Sequence, residues 1–145
     1  AIEPDIKNFT LLRKLHSTIE NLQTLNKGVW NEKTILKFNN SGTMSNAISE
    51  KEGEGIAVDT IDNILGNNRA TYLKMDIEGA EFQALVGAKK TITNYKPKLA
   101  ICVYHKNNDL ITIPQYIKSL VPEYKLYLRA HRPYTQELVL YATLE

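Results

Sequence analysis

Residues 72–81 read YLKMDIEGAE, and this stretch decides the fold. Its apolar first half predicts a short interior strand, with Asp76 at the carboxyl end. Glu78 and Glu81 fall in the first turn of a predicted helix, where negative charge suits the helix dipole. Because ligands bind at the carboxyl edge of an open α/β sheet, we expect the chemistry at this junction. Helix capping by Asp76 is an equally simple interpretation of the same residues.

A second apolar run occupies residues 99–104 and predicts another strand buried on both faces of a parallel sheet. It ends in Tyr104 and His105, a polar pair at a second carboxyl edge. If the two strands are neighbours, His105 lies near Asp76, because the carboxyl ends of parallel strands meet at one edge.

The remaining pattern predicts a single α/β domain over residues 1–145 whose sheet ends with an antiparallel edge. The polar stretch Asn39–Gly55 is predicted to be a long loop, with a lid as one interpretation of it. The N-terminal part predicts an amphipathic helix with one face on a sheet, carrying Ile6, Phe9, Leu12, Leu15 and Ile19, then a weak strand over Leu22–Trp30 and paired strands at 34–38 and 56–60. A short helix capped by Thr60 follows, and after residues 72–81 one helix carries Phe82, Leu85, Val86 and Ile92. The C-terminal part predicts a helix over Thr112–Leu120 with Pro114 in its first turn, and two final strands joined by the loop His131–Gln136.

Composition excludes several classes of protein. A net charge of +2 is too small for a nucleic-acid-binding surface, so no nucleic-acid partner is predicted. The longest apolar run, residues 99–104, is far shorter than the roughly 20 residues of a membrane helix. Cys102 is the only cysteine, which excludes a disulfide within one chain and favours a reducing compartment. We therefore expect a cytoplasmic protein with no membrane partner.

Three passages together carry a family resemblance. They are Glu3-Pro4, residues 73–81 with Ala84-Leu85 and Gly87-Ala88 after them, and residues 96–105, which read KPKLAICVYH. With residues 124–129 and 137–141 near the end, the chain resembles the FkbM family of S-adenosylmethionine-dependent methyltransferases over essentially its whole length. The resemblance implies a Rossmann-like class I methyltransferase sheet with an antiparallel C-terminal edge.

The resemblance also implies a segment before Glu3 that this sequence does not show. Members of the family begin with a strand and a glycine-rich turn that hold the methionine part of the cofactor. The expectation is thus an N-terminally truncated domain without its central strand, with impaired activity. An unpaired edge at that position predicts a homo-oligomer or a rearranged sheet.

Site roles follow from the resemblance, residue by residue. Glu3 resembles the acid that binds the ribose hydroxyls of S-adenosylmethionine, with Asp76 as a second cofactor-binding residue. Helix capping is the alternative role for Glu3. Methyl transfer to an alcohol needs a base, and His105 is the best candidate. Asp76 is the alternative base, or it orients the base or the substrate.

Substrate binding is assigned to Glu78, Tyr104 and Arg129, and a solvated loop is an equal explanation for Arg129. Asp76, Glu78, Glu81 and His105 have the chemistry to bind a divalent cation instead. Glu78 and Glu81, three apart on a helix, are expected to be free to point to solvent, so no metal is predicted.

The function predicted from these residues is an O-methyltransferase whose partner is a small-molecule hydroxyl acceptor, either a carbohydrate or a secondary metabolite. The alternative is a non-catalytic module for binding or self-association that retains the outer part of the fold. A purely structural interaction domain is the third hypothesis.

Overall fold

The computed structural model describes residues 1–16, 18–38, 48–49, 54–132 and 137–145. Helices and strands alternate along the chain, as the sequence pattern predicts for an α/β domain. In chain order they are α1 (Ile6–His16), β1 (Gly28–Val29), β2 (Thr34–Phe38), β3 (Ile48–Ser49), β4 (Glu54–Asp59), α2 (Ile61–Leu65), β5 (Tyr72–Met75), α3 (Glu81–Val86), α4 (Lys89–Tyr95), β6 (Lys98–Cys102), α5 (Asp109–Leu120), β7 (Lys125–Ala130) and β8 (Leu138–Thr143).

The C-terminal half forms a four-stranded sheet in the order β5-β6-β8-β7. Strands β5 and β6 are parallel, with Met75 opposite Ile101. Strand β8 is antiparallel to β6, and β7 is antiparallel to β8. The predicted mixed α/β fold with an antiparallel C-terminal edge is confirmed, and β5 and β6 have their carboxyl ends at one edge.

The N-terminal half forms a second sheet in the order β1-β4-β2-β3. The predicted pairing of residues 34–38 with 56–60 is confirmed, since β2 and β4 are antiparallel. The predicted strand Leu22–Trp30 is wrong in extent. Only β1 and a parallel bridge between Ile2 and Leu25 form there, because Gly28 and the asparagines weaken strand propensity. Within the described ranges, no ladder joins the two sheets.

The core lies between the C-terminal sheet and the helices that cover it. Its largest fully buried members come from every layer, namely Leu85, Ile92, Leu99, Ile101, Ile113, Ile117 and Tyr124. The Tyr124 hydroxyl donates a 2.5 Å hydrogen bond to the Pro97 carbonyl oxygen, which anchors the chain before β6. Cys102 is a buried free cysteine, in agreement with its predicted place in the core.

The helix predicted after Asp76 is in fact two helices. α3 ends at Val86 and α4 begins at Lys89, with Gly87 between them. A Cβ atom on Gly87 would lie 2.0 Å from the Trp30 carbonyl oxygen, so only glycine permits this approach to the N-terminal sheet. The carboxylate of Asp62 then accepts hydrogen bonds from the backbone of Lys90 and Thr91, which starts the second helix.

Two other helix predictions need correction. α5 begins at Asp109, three residues before the predicted start, so Pro114 lies inside the helix and not in its first turn. The apolar residues of α1 were expected to pack on a sheet, but Ile6 and Leu15 are more than half exposed, and the helix ends before Ile19. Phe9 and Leu12 are partly buried, so only the middle of the predicted apolar face is covered.

The two predicted loops, Asn39–Gly55 and His131–Gln136, fall largely outside the described residues. Nothing in the described part of the chain is a helix both long and apolar enough to cross a bilayer.

Asp59 joins the end of β4 to helix α2. Its Oδ1 accepts hydrogen bonds from the Asn63 side chain at 3.0 Å and from the Thr60 backbone at 2.9 Å. These bonds hold the pKa of Asp59 below its usual value, and the bond from Asn63 has the largest effect. A lowered pKa means that folding favours the charged form. The resulting stability is present above the ordinary aspartate pKa and is lost as pH falls through the lowered value.

We predict that Asn63→Ala lowers the free energy of unfolding by about 1 kcal/mol at pH 7, the usual net contribution of a hydrogen bond. The difference from wild type should shrink as the pH falls below the ordinary aspartate pKa and through the lowered value, because protonated Asp59 no longer gains from the amide. Urea unfolding at several pH values measures the difference in the free energy of unfolding, with Asn67→Ala, at an exposed asparagine, as the control. A difference that is constant across pH would contradict the assignment.

Candidate active site

The turn after β5 places Glu78 before helix α3 and Glu81 at its first residue. Glu78 has φ 56° and Gly79 has φ 92°, so the chain turns sharply before α3 begins at Glu81. The predicted position of Glu78 in the first helical turn is therefore wrong. A Cβ atom on Gly79 would lie 3.0 Å from Lys106 Cε and 3.7 Å from His105 Cβ. The turn thus sits directly against the segment that follows β6.

His105 lies at the centre of the cluster, with its side chain only 10% exposed. Its Nε2 is 3.5 Å from Glu78 Oε2 and 3.7 Å from Asp76 Oδ1. Its Nδ1 is 3.0 Å from Glu81 Oε1. The parallel pairing of β5 with β6 thus brings His105 and Asp76 together, as the sequence predicted.

Tyr104 binds the same aspartate. Its hydroxyl donates a 3.1 Å hydrogen bond to Asp76 Oδ1, and its ring centroid lies 4.1 Å from that of His105. Burial, together with the negative charge of Asp76, raises the pKa of Tyr104 well above its ordinary value. Tyr104 therefore keeps its proton at neutral pH and remains a donor. Lys74 lies on the other side of Asp76, 3.8 Å from Oδ2.

Glu81 is completely buried, which contradicts the expectation that Glu78 and Glu81 both point to solvent. Its Oε1 accepts a 2.8 Å hydrogen bond from the Ile77 backbone N–H. Within the described ranges, Oε2 has no hydrogen-bond partner. The Glu78 side chain is 34% exposed. The two glutamates therefore flank His105 from different environments, one buried and one at the surface.

Asp76, Glu81 and His105 each offer an atom that could ligate a metal ion, and these atoms lie within 4.8 Å of one another. Glu78 is not part of this group, although the sequence associated it with the same chemistry.

Glu3 directly follows Ile2, which forms the parallel bridge with Leu25. Its Oε1 accepts a 2.8 Å hydrogen bond from the Asp5 backbone, and burial raises its pKa. The bond that caps α1 is made by Asp5, whose Oδ1 accepts from the Asn8 backbone N–H, whereas Glu3 accepts from the N–H of Asp5, before the helix begins. Among the described residues, none donates a hydrogen bond to Glu3 Oε2, and none joins Glu3 to Asp76.

Arg129 is exposed near the end of β7. It pairs with Val139, which pairs in turn with Cys102 of β6. Arg129 thus lies at the same edge of the sheet as the cluster but two strands away, outside contact with His105.

Sequence reasoning missed the environment of Glu81 and a cleft between the start of α3 and the segment from Lys106 to Thr112. The cleft has a volume of about 380 Å³ and is lined by Phe82, Gln83, Lys106, Asn107, Asn108, Asp109 and Thr112. The polar run at residues 106–109, directly after a buried strand, was a usable signal for it. Nothing in the sequence signalled that Glu81 is buried, because its position depends on how α3 packs.

Comparison with known proteins identifies the family to which the chain belongs. The family model described as "Methyltransferase FkbM domain" matches residues 1–132. The crystal structure of a methyltransferase FkbM from Methylobacillus flagellatus KT superposes with a TM-score of 0.80 at 32% identity. The match covers 98% of this chain but only 35% of that protein, so this chain spans about a third of its neighbour's length. A search of curated proteins found no match. The resemblance seen in the sequence is confirmed, and the chain belongs to the FkbM methyltransferase family.

Proposed function

We propose that this chain carries the active site of an O-methyltransferase that transfers a methyl group from S-adenosylmethionine to a hydroxyl of a carbohydrate or secondary metabolite. The observation that carries the proposal is the Asp76, Tyr104 and His105 cluster at the carboxyl ends of two parallel strands, where open α/β sheets bind ligands. Membership of a methyltransferase family supports it. The acceptor, the cofactor and the residue roles are part of the proposal.

Glu3 fits the ribose of the cofactor. It follows a parallel bridge, its Oε1 is fixed by the Asp5 N–H, and its Oε2 is left to accept from a ribose hydroxyl. Asp76 is the second residue proposed to bind the cofactor. When bound, S-adenosylmethionine supplies a methyl group on a sulfonium sulfur, which an alcohol oxygen attacks in line.

His105 is proposed as the base that removes the proton of the acceptor hydroxyl. Its Nε2 faces Asp76 and Glu78 across gaps of 3.7 and 3.5 Å, too long for direct hydrogen bonds. Asp76 is held by the Tyr104 hydroxyl, so its carboxylate has a defined direction. It orients the acceptor hydroxyl, and the carboxylates stabilise the positive charge that His105 gains. Holding the acceptor in line supplies much of the rate.

The acceptor is proposed to contact Glu78, Tyr104 and Arg129. Glu78 and Tyr104 are partly exposed beside His105, and Arg129 lies at the same edge of the sheet. The cleft that begins at Lys106, the residue after His105, presents amide, hydroxyl and charged side chains together with Phe82. Such a lining suits a hydroxyl-rich molecule, since each sugar hydroxyl both donates and accepts hydrogen bonds.

A non-catalytic role in binding or self-association is the second candidate. The exposed apolar residues of α1, including Ile6, Leu11 and Leu15, favour contact with further protein surface. The same surface supports a homo-oligomer under the first proposal. The cytoplasm remains the proposed compartment, because Cys102 is a buried free thiol.

We predict that S-adenosylhomocysteine binds this chain and that Glu3→Ala weakens binding by about tenfold or more, the value of a hydrogen bond to a charged group. Isothermal titration calorimetry measures the Kd of S-adenosylhomocysteine for wild type and for Glu3→Ala. Exposed Glu20→Ala is the matched control and should bind like wild type. Equal affinity of Glu3→Ala and wild type would remove the ribose role, and no binding by wild type would favour the second candidate.

We predict that His105→Ala lowers kcat by about 100-fold or more, the usual contribution of a general base, with little change in cofactor affinity. Formation of S-adenosylhomocysteine with a panel of sugar and metabolite acceptors measures the rate. His131→Ala, at an exposed histidine, serves as control. A rate within threefold of wild type would exclude His105 as the base.

A further inference from the structure

The two nitrogens of His105 face different carboxylates. Glu81 is the nearest acid to Nδ1, with Oε1 3.0 Å away. Asp76 and Glu78 are instead nearest to Nε2. The Nδ1 contact is at hydrogen-bond distance but is not aligned as a hydrogen bond. Among the described residues, Nδ1 has no hydrogen-bond partner, so Glu81 is the acceptor within its reach.

The stability of the fold does not explain why a carboxylate stands at Glu81. A carboxylate removed from water is costly unless its oxygens are hydrogen-bonded. Glu81 is fully buried, yet only Oε1 has a donor, the Ile77 N–H, and Oε2 has none in the described ranges. A glutamine would occupy the same space at a lower desolvation cost. The carboxylate therefore fits a role toward its neighbour better than a role in the core.

An acceptor at Nδ1 determines the tautomer of a neutral histidine. The proton lies on the nitrogen that faces the acceptor, and the other nitrogen carries the free lone pair. With Glu81 at Nδ1, the lone pair is on Nε2. That nitrogen is directed toward Asp76, the residue held by Tyr104. This is the tautomer that a base acting at the acceptor hydroxyl requires.

A divalent cation is the competing explanation, since atoms of Asp76, Glu81 and His105 lie within 4.8 Å of one another. The acids do not converge on one nitrogen of His105, and this argues against a bound cation. A cation on Nδ1 would have to share Glu81 Oε1 with the Ile77 N–H, which already donates to that oxygen.

We propose that Glu81 is a positioning residue that holds the His105 imidazole with its proton on Nδ1, so that Nε2 presents a free lone pair to the acceptor hydroxyl. The effect of this positioning on catalysis rests on the proposed function, in which His105 is the base. The assignment of the His105 tautomer does not depend on that function.

The test is ¹⁵N NMR of the histidine side chains in the 145-residue chain, with the His105 signals assigned by comparison with His105→Gln. Wild type should show neutral His105 as the Nδ1–H tautomer, and Glu81→Gln should shift the population toward Nε2–H. The matched control is Glu123→Gln, at an exposed glutamate that pairs with Lys96. It should leave the His105 signals unchanged. Identical tautomers in wild type and Glu81→Gln overturn the proposal.

Two further measurements separate positioning from a structural role. Thermal unfolding should show Glu81→Gln at least as stable as wild type, because an amide is cheaper to bury. Where methyl transfer is measured, Glu81→Gln should lower kcat about tenfold or more without raising the KM for the cofactor, since part of the general-base contribution is lost. A marked loss of stability with an unchanged tautomer would identify a structural residue and overturn the proposal.

Titration with MgCl₂ decides the cation alternative. Saturable shifts of the His105 nitrogens by Mg²⁺, abolished in Glu81→Gln, would assign the cluster to a cation and overturn the proposal. If no acceptor is methylated by wild type, the proposed function fails, but the tautomer measurement still decides what Glu81 does to the ring.

Discussion

The parallel pairing of β5 with β6 is the constraint on which the site depends. Tyr72 lies opposite Lys98 and Met75 opposite Ile101, so both strands end at the same level. Asp76 follows one strand directly, and Tyr104 and His105 follow the other after the buried residue Val103. A shift of one residue in this register would reverse the faces of a strand and remove its apolar side chains from the core. The free energy of core burial therefore also maintains the geometry of the cluster.

Helix α3 is the second element that the site requires, and both of its ends are constrained by close backbone approach. At its start, the turn at Gly79 lies against His105 and Lys106. After its end, Gly87 lies against the Trp30 carbonyl of the N-terminal sheet, where no larger residue fits. A helix held at both ends has little freedom to turn about its axis. Glu81 is consequently held in the interior beside the imidazole.

The electrostatics of the cluster follow from this packing. Three carboxylates surround one imidazole, and Lys74 is an exposed cation next to one of them. Charged pairs at the surface, such as Lys96 with Glu123, contribute little to stability because water screens them. The contacts of His105 are much less screened because its side chain and Glu81 are buried. This environment suits a group that takes up a proton during the reaction, as the proposed methyl transfer requires.

The sequence alone determined the α/β class, the family and the two strand ends that carry the chemistry. These were readable because apolar runs, glycines and acids are local signals, and two neighbouring parallel strands can place Asp76 and His105 only at one edge. The tertiary structure alone decided that the helix breaks at Gly87, that α1 leaves Ile6, Leu11 and Leu15 exposed, and that Glu81 is buried at Nδ1 while Glu78 faces Nε2. Those features depend on contacts between residues distant in sequence, such as Gly87 with Trp30 and Asp62 with Thr91, and local periodicity carries no information about such contacts.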